Sequence, residues 1–137
     1  IGYNTRSDQD WVHFRYAEIL LAVAEAENEL NGPTQKAYDA INRIRKRAEM
    51  PPLPQGLDQV QMREKIRHER RIELAFEGHR YFDLKRWHII EEIMNNFEEP
   101  TLPLYKSVFE KRFYLWPIPQ SEIDKNNGVL IQNPDYK

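Results

Sequence analysis

Apolar residues recur at helical spacing through the first third of the chain and predict two helices joined by a tight turn. The first is expected over about residues 10–30, where N-G-P at 31–33 ends it because proline cannot continue a helix. The second is expected over about residues 34–49, and the short connection predicts an antiparallel hairpin. The expected N-caps are Asp10 and Thr34.

The first helix is apolar over more than half of its circumference, so we expect it to pack against neighbours on two sides. The second carries one narrow apolar stripe. The apolar residues concerned are Phe14, Tyr16, Ala17, Leu20, Leu21 and Ala24 in the first helix, and Ala37, Ile41, Ile44 and Ala48 in the second.

A third helix, expected over about residues 58–77 with Asp58 as its cap and Gly78 as its end, carries charge on its apolar side. Glu69 and Glu73 fall in the middle of an apolar arc, and a carboxylate on a buried face needs a partner. The arc consists of Met62, Ile66, Ile72 and Phe76, with Arg70 at its edge. We therefore expect Glu69 or Glu73 to bond an arginine. The candidate arginines are Arg15, Arg80 and Arg86, with Asp83 as a further acid and Tyr81, Phe82 and Trp87 as an apolar cap.

A fourth helix is expected over about residues 80–96, and periodicity is lost over 97–137, where proline and aromatic residues are frequent. Residues 113–116 could form a short strand, 121–124 one helical turn, and N-N-G at 126–128 a tight turn. We favour packing of the aromatic residues over a helical body, with stacking on a sugar ring as the alternative. The candidate ligand contacts are Tyr3, Tyr105, Trp116 and Asn127.

Length and composition narrow the classes of function. A chain of 137 residues is the size of one domain, and we treat it as a single domain. The net charge of −2 gives no global field that would favour nucleic acid, so the basic run R-I-R-K-R at 43–47 is better interpreted as a solvated helix face. Without cysteine the chain has no disulfide and no thiol chemistry, and no apolar run reaches the roughly 18 residues of a membrane helix.

Two interpretations of the Glu69 and Glu73 pair remain open. A structural ionic network is favoured, and a glycosidase that uses these carboxylates is the alternative. A zinc site is not supported, because His68-Glu69 begins the motif H-E-x-x-H but Ile72 stands where the second histidine is required. A calcium loop of the D-x-D-x-D-G type is also missing, so no metal or cofactor is expected.

Four motifs together resemble the C-terminal part of the SusD/RagB family of Bacteroidetes outer-membrane lipoproteins. In order they are R-Y-A-E-I-L-L-A-V-A-E-A (15–26) with A-x3-I-N-x-I-R-x-R-A (37–48), I-x2-E-R-R-I-E-L-A-F-E-G-H-R-Y-F-D-L-K-R-W (66–87), L-W-P-I-P-Q-S-E-I (115–123) and Q-N-P-D-Y (132–136). The resemblance covers about residues 11–136, and we expect a longer protein whose N-terminal part is missing here.

The resemblance implies an all-α protein with tetratricopeptide-like helix pairs, followed here by the irregular C-terminal tail. It implies a lipid-anchored, surface-exposed protein that binds glycans or other nutrients, without cleaving them, and delivers them to a SusC-type TonB-dependent transporter. A helical protein-docking adaptor is the alternative function. The well-matched residues are then structural: Arg15, Glu18, Glu69, Arg70, Glu73, Glu77, Arg80, Asp83, Arg86 and Trp87.

Overall fold

The computed structural model describes residues 12–97 and 107–136, and helices are the regular structure found there. The α-helices are α1 (Tyr16–Asn31), α2 (Gln35–Arg47), α3 (Gln59–Glu73), α4 (His79–Arg86), α5 (Ile90–Asn95) and α6 (Gln120–Lys125), with one 3₁₀ helix at Lys111–Tyr114. The described part of the chain contains no strand, so the short strand predicted at 113–116 is wrong. It also contains no helix that is long and apolar enough to cross a membrane. The chain divides after Arg80 into two compact units.

Helix α1 begins at Tyr16 rather than near residue 10, and the predicted cap at Asp10 lies outside the described residues. Its predicted end is confirmed: Gly32 adopts a φ of 79°, and its N–H donates to the carbonyl of Asn28 at 3.0 Å. Thr34 stands at the N-cap of α2, but its hydroxyl donates to Glu27 instead of capping the helix.

The first unit has its core where α1 packs against both α2 and α3. Small residues from the two hairpin helices, Ala24, Ala37 and Ala40, allow the backbones to approach closely. Contacts at both ends of the hairpin show that it is antiparallel, since Arg43 reaches Tyr16 and Lys36 reaches Glu27. The remaining core side chains are mainly Leu21, Tyr38, Ile41, Ile44, Leu53, Met62, Ile66 and Leu74. Ala48 follows the end of α2 and is exposed, contrary to its predicted place on the stripe.

Helix α3 starts as predicted and ends earlier than predicted. The Asp58 side chain accepts from the Gln61 N–H at 2.8 Å, and the Gln61 side chain accepts from the Asp58 N–H at 3.0 Å, which is a capping box. The helix stops at Glu73, not at Gly78. Phe76 in the following turn has a φ of 65° and is fully exposed. The buried stripe therefore runs through Met62, Ile66, Glu69, Arg70 and Leu74, and Ile72 and Phe76 do not belong to it.

The second unit contains two short helices where one was predicted over 80–96. Helix α4 ends because His88 takes a left-handed conformation with a φ of 56°, and the Ile89 N–H returns to the carbonyl of Leu84 at 3.1 Å. Helix α5 then starts at Ile90, whose buried side chain packs with Leu84 and Phe109 as the centre of this unit.

Residues 107–136 are more ordered than the predicted irregular tail. The 3₁₀ helix and α6 lie in this stretch, and α6 extends the single helical turn expected at 121–124. The turn at 126–128 is confirmed, with Asn127 at a φ of 49° and Gly128 at 79°. Side-chain hydrogen bonds, not strand pairing, satisfy the backbone of Ile118. The Gln132 amide accepts from the Ile118 N–H and donates to the Ile118 carbonyl, both at 2.8 Å.

Candidate functional site

The first unit contains an ionic cluster around Arg15, formed with Glu73, Glu77 and Arg47. The Arg15 guanidinium donates to both carboxylate oxygens of Glu77, at 2.7 and 2.9 Å, and to a carboxylate oxygen of Glu73 at 2.7 Å. It also donates to the main-chain carbonyl of Glu73 at 2.6 Å. Arg47 approaches the Glu73 carboxylate from α2 at 2.6 Å. The contact between Arg15 and Glu73 is one of those that the sequence predicts.

A second ion pair joins α2 to α3. Arg45 donates to the Glu69 carboxylate at 2.6 Å, and the two side chains are only 15% and 10% exposed. Arg45 also donates to the carbonyl of Pro51 at 2.8 Å. The prediction that residues 43–47 form a solvated face is therefore wrong for Arg45, and the Glu69 partner was not among the predicted arginines. The R-x-R spacing beside the buried Ile44 is the signal that could have found Arg45 and Arg47.

These contacts occupy the glutamate carboxylates with hydrogen bonds from arginine. The Arg15 guanidinium holds the pKa of the Glu77 carboxyl below its ordinary value, and the two glutamates raise the pKa of Arg15. Glu69 and Glu73 are each bonded to arginine and largely buried, so neither presents a free carboxylate to a sugar. The geometry favours the structural interpretation of this pair over the glycosidase.

The other predicted network residues occupy separate places. In the first unit, Glu18 lies 3.7 Å from the His79 ring nitrogen, Arg70 is buried on α3, and Arg80 is half-buried. In the second unit, Asp83 is buried and accepts from Arg86 at 3.0 Å.

The predicted aromatic cap over the ionic network has a different arrangement. Tyr81 and Phe82 are exposed and make an edge-to-face contact with ring centroids 5.5 Å apart. Trp87 lies under the guanidinium of Arg86, which is 4.8 Å from the ring centroid.

The second unit holds an aromatic pocket of about 410 Å³, which we call the Trp116 pocket. Its walls are apolar, and its rim residue Trp116 is 70% exposed. The lining residues are Tyr81, Phe109, Phe113, Trp116, Pro117 and Tyr136. The Lys85 ammonium lies 5.3 Å from the Tyr81 ring centroid and 5.6 Å from that of Trp116. An open apolar pocket with a cation at its edge is a candidate ligand site.

The Q-N-P-D-Y motif holds the wall of this pocket in place. Asn133 donates to the main-chain carbonyl of Trp116 at 2.6 Å. The Tyr136 hydroxyl lies 3.1 Å from the carbonyl oxygens of both Arg112 and Leu115. Together with the Gln132 contacts to Ile118, these bonds replace the backbone pairing that an irregular segment lacks.

The remaining ligand candidates do not join this pocket. Asn127 sits exposed in its turn and is not a lining residue. Tyr3 and Tyr105 lie outside the described residues. Within residues 12–97 and 107–136, no cluster of histidine and acidic side chains could hold a metal ion.

Comparison with known proteins assigns this chain to a family. The profile of the SusD family (SusD/RagB) matches residues 2–136. The chain belongs to the SusD family. It is 39% identical to SusD-like protein P2 of Formosa agariphila over 98% of this chain, which is 28% of that relative.

Solved structures agree with the family assignment. The fold is similar to that of a SusD-like protein from Bacteroides fragilis, with a TM-score of 0.78 and 39% identity over 92% of this chain and 26% of that one. Surface glycan-binding protein A from Bacteroides thetaiotaomicron, in complex with laminarihexaose, gives a TM-score of 0.67 and 29% identity over 88% of this chain and 24% of that one. The predicted all-α, tetratricopeptide-like fold class is thereby confirmed. The SusD-family chain spans about a quarter of the length of these relatives.

Proposed function

We propose that the chain is the C-terminal part of a non-catalytic protein that binds glycans or related nutrients at the outer-membrane surface. The protein is lipid-anchored through a segment outside residues 1–137 and delivers its ligand to a SusC-type TonB-dependent transporter. The observation that carries the proposal is the family match along nearly the whole chain, together with a 29% identical relative that was solved with laminarihexaose bound. The ionic contacts of Glu69 and Glu73 support a binding function rather than hydrolysis.

Within this chain the Trp116 pocket is the surface best suited to contact a sugar. The exposed indole offers a flat apolar face, and the C–H face of a pyranose ring is itself apolar, so the two can stack while the hydroxyl groups remain in water. The pocket has few polar groups to bond the hydroxyl groups of a sugar, so it suits a contact with part of a ligand better than a complete binding site. We therefore propose that Trp116 contributes one stacking platform to a ligand that other parts of the protein also contact.

The test is isothermal calorimetry with laminarihexaose and a panel of neutral and acidic oligosaccharides on the full-length protein. For the oligosaccharide that binds, Trp116→Ala should weaken binding by about tenfold, the loss typical of a central aromatic contact. Phe76→Ala is the control, because Phe76 is a fully exposed aromatic residue outside the pocket.

Two results would count against these proposals, and they can be told apart. Unchanged affinity in Trp116→Ala, with binding by the parent protein intact, would place the ligand site elsewhere and leave the binding function standing. No binding of any oligosaccharide in the panel by the parent protein would contradict the glycan-binding function itself.

A further inference from the structure

Lys85 places a positive charge beside the Trp116 pocket. Its ammonium lies 5.3 Å from the Tyr81 ring centroid and 5.6 Å from that of Trp116, within the range at which an aromatic ring attracts a cation. Tyr81 and Lys85 stand four residues apart on α4 and therefore share one face of that helix. Trp116 belongs to the C-terminal wall, where Asn133 bonds its carbonyl. The two rings thus keep the ammonium close to the surface on which a sugar would stack.

No acid balances the charge of Lys85 within residues 12–97 and 107–136. In these ranges the half-buried Lys85 makes contacts with the two rings but no ion pair and no hydrogen bond. Asp83, the acid of α4, is buried and accepts from Arg86. The six residues that line the pocket include no acid. Because the rings lie more than 5 Å away, they attract the charge without accepting hydrogen bonds, and the N–H donors of the ammonium remain available to an oxygen acceptor.

We infer that the Trp116 pocket takes an acidic sugar, a uronic acid or a sulfate ester, whose anionic group pairs with Lys85. A pyranose ring stacked on the indole lies in van der Waals contact with it, about 4 Å away, so its substituents extend toward the ammonium. A sugar hydroxyl could also accept from Lys85, but it would leave the half-buried charge unbalanced. A carboxylate or a sulfate neutralises that charge and makes a charge-assisted hydrogen bond.

The surroundings of Lys85 favour this pairing. The pocket walls are apolar, and an ion pair beside an apolar surface is screened less by water than one on an open surface. The stacking surface and the charge also lie next to each other, so one sugar residue can use both. The inference rests on the proposed function and deepens it, since it names the class of sugar that the pocket selects.

The experiment measures whether a preference for charged sugars depends on Lys85. Calorimetry on the full-length protein pairs each acidic member of the oligosaccharide panel with its uncharged form, for example trigalacturonate with its methyl ester, or a κ-carrageenan tetrasaccharide with its desulfated form. We expect the parent to bind an acidic form at least about tenfold more tightly than the uncharged one, as removal of a charge-assisted hydrogen bond implies.

The variants remove or keep the charge of Lys85. Lys85→Met retains much of the apolar stem and should bring the two affinities to within about twofold of each other. Lys85→Gln is a second uncharged variant, used if circular dichroism shows that methionine disturbs the fold. Lys85→Arg keeps the charge and should keep the preference. Lys46→Met is the control, because it removes one positive charge from an exposed position on α2 outside the pocket, and it should also keep the preference.

The outcomes distinguish failure of this inference from failure of the proposed function. A preference that is lost only in the uncharged Lys85 variants supports the inference, and the oligosaccharide pair that shows it separates a carboxylate ligand from a sulfate. Equal binding of charged and uncharged forms by the parent, or a preference that survives in the uncharged variants, would overturn it and leave glycan binding intact. If the parent binds no member of the panel in either form, the proposed function fails and the inference fails with it.

Discussion

Replacement of Arg15 by methionine should destabilise the first unit more than any exposed ion pair can. Arg15 stands just before α1, in extended backbone, and its guanidinium reaches the end of α3 and the turn beyond it. Its four hydrogen bonds to Glu73 and Glu77 therefore connect residues about 60 positions apart in the chain. Methionine keeps much of the apolar stem and removes every one of these bonds.

The magnitude follows from burial and from the partners that remain. Removing one partner of a fully buried ion pair costs about 3–5 kcal/mol, because the other charge is left unpaired. Here the Glu73 side chain is only 9% exposed, but it keeps Arg47, and Glu77 is open enough to be hydrated. Hydrogen bonds to charged groups contribute about 1.5–3 kcal/mol each and are not additive when shared. We expect Arg15→Met to lower the free energy of unfolding by about 2–3 kcal/mol.

The assay is urea denaturation followed by far-ultraviolet circular dichroism, whose signal comes mainly from the long helices α1, α2 and α3. Arg63→Met is the matched control. Arg63 also makes a two-bond contact with a glutamate, Glu29, at 2.6 Å, but Glu29 is exposed. The control should lose less than about 1 kcal/mol. Equal losses in the two variants, or a loss below about 1 kcal/mol in Arg15→Met, would refute the argument from burial.

Two further predictions concern pH and the C-terminal segment. The hydrogen bond from Arg15 lowers the pKa of the Glu77 carboxyl in the folded protein. The ionised Glu77 therefore contributes its full stabilisation above its unfolded pKa of about 4.3, and this contribution is lost as the pH falls through its pKa in the folded protein. Stability measured from pH 6 to 3 should therefore fall less steeply in Glu77→Gln than in the parent, and parallel curves would contradict this. Gln132→Ala should speed hydrogen exchange of the Ile118 amide by about tenfold, with α2 amides as the internal control, and an unchanged rate would contradict its role in holding that backbone.

Local sequence signals predicted the features whose causes are local. Asp58 caps α3 as predicted, and the structure adds the reciprocal contact from Gln61 that completes a capping box. Gly32 ends α1 as predicted because its left-handed conformation costs a glycine little. The wide apolar arc of α1 was also predicted, since side-chain positions around a helix follow directly from its period.

Features set by packing were predicted less well. The helix break at His88 could not be predicted locally, because no glycine or proline lies at this position. The chain turns there because Ile90 and Phe109 pack with Leu84 in the core of the second unit. Similarly, the sequence placed Ile72 on the apolar arc of α3. In the structure, the face of α3 that contains Glu69 packs against α2, and Ile72 is exposed to solvent.

The sequence by itself determined the helical class, the family, the cap at Asp58 and the need of Glu69 and Glu73 for arginine partners. The cap depends on residues close together in the chain, and the arginine partners follow from the cost of burying a charge. Only the tertiary structure decided which arginines meet them. Arg45 and Arg47 come from α2 and Arg15 from the residue before α1, and these positions converge only when the helices pack. The Trp116 pocket has the same origin. Its walls lie up to 55 positions apart, from Tyr81 to Tyr136, and side-chain bonds without periodicity hold its C-terminal wall, so no local pattern could reveal it.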